Sequence, residues 1–253
     1  MNLILARATL LLAGPLASVD QTSITQPPVM NAQTILEQAD KLYAERSDLE
    51  KAKAAMDMYE KAIHLAPQFT EAYWKISRVA WWLGDHAEPK EKAALFQKGI
   101  DRAKAALNQD NNLVQAHFWL GVNYGSYGEA KGILKSLFLV KPIREEMETV
   151  IKLDPTYGGG GGYRLLGVID YKVPGIAGGS NKRALENLKK AQEIAPNNPF
   201  NIYYMAEYYF NDGDKSKAKS ELRRLEDLKV SQEDMPELLL MQDKGRQLRI
   251  KLK

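Results

Sequence analysis

YEKAIHLAP (residues 59–67), METVIKLDP (147–155) and LKKAQEIAP (188–196) are three copies of one phrase, and AKAALNQDN (103–111) is a looser fourth. Each carries an apolar residue, then Ala or Val three places later, then a helix-stopping residue five places after that. The stops at Pro67, Asn111, Pro155 and Pro196 recur every 41–44 residues. Self-similarity at such a period means a stack of like units, each burying its apolar face against a neighbour.

The offsets say which unit. Ala55, Tyr59, Ala62 and Pro67 occupy the positions of the second helix of a tetratricopeptide (TPR) hairpin, and Ala184, Leu188, Ala191 and Pro196 repeat them. Ala218, Leu222 and Leu225 do so again without the closing Pro. Small residues let two antiparallel helices approach, a large one plugs the gap, and Pro ends the helix. First helices match through Leu120, Gly121 and Tyr124, through Leu166 and Gly167, and through Ala206 and Tyr209. The fold expected is all-α: a right-handed TPR-like α-solenoid of about five helical hairpins with a helical C-terminal end, over residues 32–253.

The units are longer than the roughly 34 residues of an ordinary TPR. The surplus falls between the two helices of units two, three and four, so lengthened inter-helix insertions are expected there. In unit two, Pro89 suits the first turn of a lengthened second helix. In unit three the surplus is GSYGEAKGILKSLFLVKP (125–142), in unit four KVPGIAGGS (172–180), with Ser180 a fitting N-cap. The Gly-rich stretches suggest re-entrant loops beside the concave face.

Composition narrows the function. The 253 residues are 45% hydrophobic and 26% charged, with a net charge of +3, which argues against nucleic acid as the main partner. There is no Cys, so disulfide and thiolate chemistry are excluded. His64, His86 and His117 fall in different units, and Gly158–Gly162 lacks the Gly-Lys-Ser/Thr of a phosphate loop. No metal, cofactor or catalytic set is expected, and the chain is read as a non-enzyme. Residues 1–19 are signal-like: the run LILARATLLLAGPLA (3–17) carries one charge, Arg7. Residues 20–31 read as a polar tether. Export is therefore expected, with a cytoplasmic chain as the other reading. A bacterial lipoprotein signal would place Cys where Val19 stands, so lipid anchoring is not expected.

The segments HFWLGVNY (117–124), KGILKSLFLVKPIREEMETVIKLDP (131–155), YRLLGVIDYKVPGIAGG (163–179) and ALENLKKAQEIAPNNP (184–199) resemble the T-component family of TRAP transporters. That resemblance implies a periplasmic TPR scaffold that partners a solute-binding protein of an uptake system, as an oligomer, with a channel in each subunit. A small amphipathic or hydrophobic ligand is expected in addition, from the aromatic concave face. A more distant similarity is to eukaryotic regulators of microtubule dynamics, which share irregular TPRs. The alternative function is a general TPR adaptor gripping a peptide segment of a protein partner.

First helices line the concave face of a TPR stack. Counting inward offsets along them selects Trp74, Arg78, Trp81, Phe118, Arg164, Tyr171 and Tyr203 as candidate ligand-binding residues. Aromatic rings supply contact area and Arg supplies a bidentate partner for a carboxylate. Two alternatives compete: the aromatics are core between repeats, or Glu71 and Glu207 neutralise the arginines internally.

Overall fold

The computed structural model describes residues 31–252, apart from the side chains of 133–135. The signal-like segment and nearly all of the tether lie outside these residues. Of the tether only Asn31 is described, and its side chain caps the first helix by accepting from Thr34 N. Among the described residues the chain is all-helical.

Five antiparallel hairpins follow one another. They are α1 (Ala32–Ala44) with α2 (Leu49–Leu65), α3 (Thr70–His86) with α4 (Pro89–Gln109), α5 (Val114–Lys131) with α6 (Ile133–Leu153), α7 (Tyr157–Lys172) with α8 (Asn181–Ile194), and α9 (Pro199–Asn211) with α10 (Lys215–Glu226). A last helix, α11 (Met235–Lys251), packs on α9 and α10. This is the TPR-like α-solenoid that the repeated phrase predicts.

Local chemistry starts and stops these helices. Asp48, Ser180, Asn198 and Asp214 each accept a backbone N–H of the following first turn. Pro89 and Pro199 sit in the first turns of α4 and α9, where the missing N–H costs nothing. The small residues of the phrase form fully buried columns: Ala52, Ala55 and Ala62 in α2, Ala103 and Ala106 in α4, Ala184 and Ala191 in α8. Tyr59 plugs the first unit completely buried, its hydroxyl donating to Asp40 at 2.6 Å. Gly167 lets α7 approach α8 so closely that a Cβ there would lie 2.7 Å from Leu188 Cγ.

The surplus residues go mostly into helix. Residues 125–142 form the end of α5 and the start of α6, which meet at Gly132 alone, at φ +94°. A positive φ of this kind lets the chain reverse in one residue. Period counting measures only the distance between stops, so it cannot tell a loop from two lengthened helices. Unit four does carry a loop, 173–180, with a short 3-10 turn at Gly175–Ala177. It is tied down by Asp170, whose fully buried carboxylate accepts from Arg144 at 2.5 Å and Arg183 at 2.8 Å. Both arginines also reach Gly178 O, at 3.3 and 2.6 Å.

Candidate functional site

The first helices α1, α3, α5, α7 and α9 surround a cavity of about 690 Å³, and the segment leading into α11 closes one side. Its wall is aromatic. Trp81 lies 5.6 Å from Trp119 and 6.0 Å from Phe200 between ring centroids, and Phe118 stands edge-on to Trp119 at 5.2 Å. Trp74 and Tyr43 continue the lining, with the Arg78 guanidinium 4.0 Å above the Tyr43 ring and 5.3 Å from that of Trp74.

Charges in the wall are mostly paired. Lys75 bridges Asp40 and Glu71, each at 2.6 Å, Arg46 pairs with Glu237, and Lys172 pairs with Glu129 at 2.9 Å. Arg78 and Arg164 differ. Among the described residues neither forms an ion pair with a carboxylate, and each has a buried Nε without a hydrogen-bond partner. Glu71 is taken by Lys75, and Glu207 by Lys172 and the hydroxyls of Tyr171 and Tyr203. The internal neutralisation weighed from the sequence does not occur.

The glycine run positions Arg164. Gly158, Gly159 and Gly160 all have φ between +59° and +74°, a left-handed kink at the start of α7 that residues with a Cβ adopt at a cost. The kink turns two carbonyls inward. Gly158 O accepts from Arg164 Nη1 at 3.1 Å, and Gly159 O accepts from Asn201 Nδ2 at 2.9 Å. Asn201 Oδ1 in turn accepts from Arg164 Nη1 at 2.8 Å. Burial pushes the Arg164 guanidinium down to about 10, against a smaller opposing pull from Tyr204, so it remains a cation at neutral pH. A buried cation held only by neutral groups carries an uncompensated desolvation cost that an anion would relieve.

Of the seven candidates, Trp74, Arg78, Trp81, Phe118 and Arg164 line the one cavity, and Tyr171 and Tyr203 do not. Tyr171 shares the Arg164 face but lies two turns further along α7. There its ring packs edge-on to Tyr208 and its hydroxyl meets Glu207. On α9, four residues on from Phe200 return to the same face, so Tyr204 lines the cavity and Tyr203 turns into the core with α10 and α11. Trp119, Tyr43, Arg46 and Glu237 were missed. Residues of α1 had no counted register, and α11 lies outside the repeat. The aromatic density of HFWLGVNY (117–124) was the available signal for Trp119.

This architecture is that of a TPR-like solenoid with a charged, aromatic concave cavity. Among solved structures it is similar to a thermophilic TPR protein of Thermus thermophilus, with a TM-score of 0.62 and 19% identity over 87% of this chain and 96% of that one. PilW, a type IV pilus biogenesis factor, is similar at a TM-score of 0.55 and 14% identity, over 86% of this chain and 85% of its own. At such identity the likeness concerns the fold. The sequence model of regulator of microtubule dynamics protein 1-3 matches residues 35–177, more than half of the chain, and the chain belongs to that family. Regulator of microtubule dynamics protein 1 of Bos taurus is 30% identical over 131 residues, 50% of this chain and 39% of the relative. The Mus musculus protein is 28% identical over 138 residues, 52% and 43% respectively. The chain thus spans about two-fifths of the length of these relatives.

Family membership corrects the TRAP expectation. The quoted segments from 117 to 177 lie inside the matched region, and they carry packing and loop chemistry that any TPR-like stack can use. Leu166 packs into the core shared with α5 and α6, Gly167 packs against α8, and Asp170 anchors the loop. Such residues define a hairpin, not a transport partner. The solute-binding protein, the uptake role and the periplasm were drawn from that resemblance and fall with it. Among the described residues no helix is long and apolar enough to cross a membrane.

Proposed function

We propose that this chain is a non-enzymatic TPR adaptor whose concave cavity holds an extended, acidic segment of a protein partner, and that it acts through such contacts on microtubule dynamics. The observation that carries the reading is the pair Arg78 and Arg164, unmatched by any described carboxylate and set in an aromatic wall. Carboxylates of a bound segment would pair with the guanidiniums, while Trp74, Trp81, Phe118 and Phe200 would cover its apolar side chains. The microtubule assignment draws on the name of the family alone.

Co-sedimentation of the full chain with polymerised tubulin tests both parts, using microtubules that are intact or stripped of their acidic C-terminal tails by protease. Intact microtubules should bind, and stripped ones should bind weakly. Losing one charge-assisted contact should cost about 1.5–3 kcal/mol, roughly tenfold to a hundredfold in affinity, so Arg78→Met should weaken binding by that factor. Binding that ignores both tail removal and Arg78→Met would refute the cavity as the seat.

A further inference from the structure

α11 has two unlike sides. Toward α9 and α10 it buries an apolar face, where Leu238, Met241 and Leu248 share one core with Ile202, Ala206, Leu222 and Leu225, edged by Arg249 on Glu226 and Gln242 on two α10 carbonyls. Toward the first two units its contacts are ionic. Glu237 pairs with Arg46, whose Nε donates at 2.9 Å, and Arg46 Nη2 also donates to Glu233 O at 2.8 Å. Lys244 pairs with Asp85 of α3 at 2.8 Å. Leu240 alone among the apolar residues of α11 touches the cores at both ends of the stack. A helix fixed by apolar burial on one side and by ion pairs on the other is hinged at the last unit and latched to the first.

The latch copies the chemistry of the cavity. Glu233, Asp234 and Glu237 line the cavity mouth beside Tyr43 and Arg46, so chain carboxylates already occupy the approach to Arg78. Arg46 does not need the strap to hold its place. It stacks over Tyr43 and Trp82 at 5.1 and 5.6 Å, and its carbonyl accepts from Trp82 Nε1 at 2.8 Å. Releasing Glu237 would leave a positioned, unpaired guanidinium at the mouth.

We propose that α11 with residues 227–234 is an autoinhibitory strap, and that an acidic partner segment enters the cavity by replacing Glu237 on Arg46. This rests on the cavity being a seat for an acidic segment. The swap exchanges one carboxylate for another on the same guanidinium, so it is nearly balanced, and salt should shift it toward the open form by screening both ion pairs. The strap lies outside the stretch matched by the family model, residues 35–177.

The chain has no cysteine, so two can be introduced cleanly for spin labels, at exposed Lys61 on α2 and exposed Ile250 on α11. Pulsed electron resonance should give one distance in the otherwise unaltered chain at low salt. The Glu237→Gln, Lys244→Met variant should add a second, longer population at any salt, whereas the latched chain should gain it only as salt rises to about 0.5 M. If that variant loses helicity, Lys244→Met alone serves. In parallel, the glutamate-rich tail peptide of tubulin should bind the unlatched variant about tenfold more tightly, the factor by which a one-in-ten open population lowers apparent affinity. A single unchanged distance in the variant at high salt overturns the strap. Opening with equal affinity for latched and unlatched chains overturns the gating. Opening with no peptide binding to either chain supports the hinge and instead fails the adaptor reading.

Discussion

Replacing Asp170 with Ala should be among the most damaging changes to this solenoid that touch no apolar core residue. Its carboxylate is fully buried and holds three hydrogen bonds: from Arg144 Nη2 at 2.5 Å, Arg183 Nη2 at 2.8 Å and Arg183 Nε at 3.3 Å. Its backbone O also accepts from Ser180 N at 2.8 Å, so one residue fixes both ends of the 173–180 loop and the start of α8. Breaking a buried pair by removing one partner costs about 3–5 kcal/mol because an uncompensated charge stays behind. Here the orphans are two arginines: Arg144 is mostly covered and Arg183 is half exposed. Arg183 can swing into water, so the loss should fall near the lower end, about 3 kcal/mol. Thermal unfolding followed by circular dichroism should then shift down by roughly 6–12 °C for a chain of this size. Hydrogen exchange should rise first in 173–194. Arg183→Ala should cost under about 1 kcal/mol, since an exposed partner is screened and Arg144 remains. Equal losses from the two substitutions, or an Asp170→Ala variant within about 1 kcal/mol of the parent, would refute this account of the clamp.

Gly167→Ala should destabilise by about 1–3 kcal/mol in urea unfolding, because its Cβ would fall 2.7 Å from Leu188 Cγ and 3.1 Å from Ala184 O with little room to yield. His117 should make stability depend on pH. Burial opposes its charge, but Glu146 at Nδ1 (2.5 Å) and Asn111 O at Nε2 (3.0 Å) are both acceptors and raise its pKa in the folded state. That contribution is fully present below the unfolded value of about 6.5 and is lost as pH rises through the higher folded value. Urea midpoints should therefore fall across that window in the parent and stay flatter in His117→Asn. Pro142 lies inside α6 and denies the residue 138 carbonyl its helical donor, so Pro142→Ala should raise the urea midpoint, by about 1 kcal/mol or more in stability.

The repeated phrase was enough to determine the helical class, the five hairpins and the residues that seal them. Ala62, Tyr59 and Pro67 have meaning at fixed spacing within one unit, and that spacing is a local property of a helix pair. Five of the seven candidate residues do line the cavity for the same reason, because inward offsets follow from helical period alone. The irregular repeats pointed to the right family only as the more distant resemblance, since HFWLGVNY and YRLLGVIDYKVPGIAGG encode close helix approach and a clamped loop, which solenoids of different function share. Tertiary structure decided the rest. Whether Tyr203 or Tyr204 faces inward depends on how α10 and α11 claim the other side of α9. Glu71 meets Lys75 and Tyr203 meets Glu207 one turn along their own helices, but that Glu207 also serves Lys172 and Tyr171, leaving Arg164 unmatched, depends on contacts between units. The pairing of Arg46 with Glu237 joins residues 191 apart in sequence. No local pattern records such a contact, because it exists only once the stack has curved far enough for its last helix to meet its first unit.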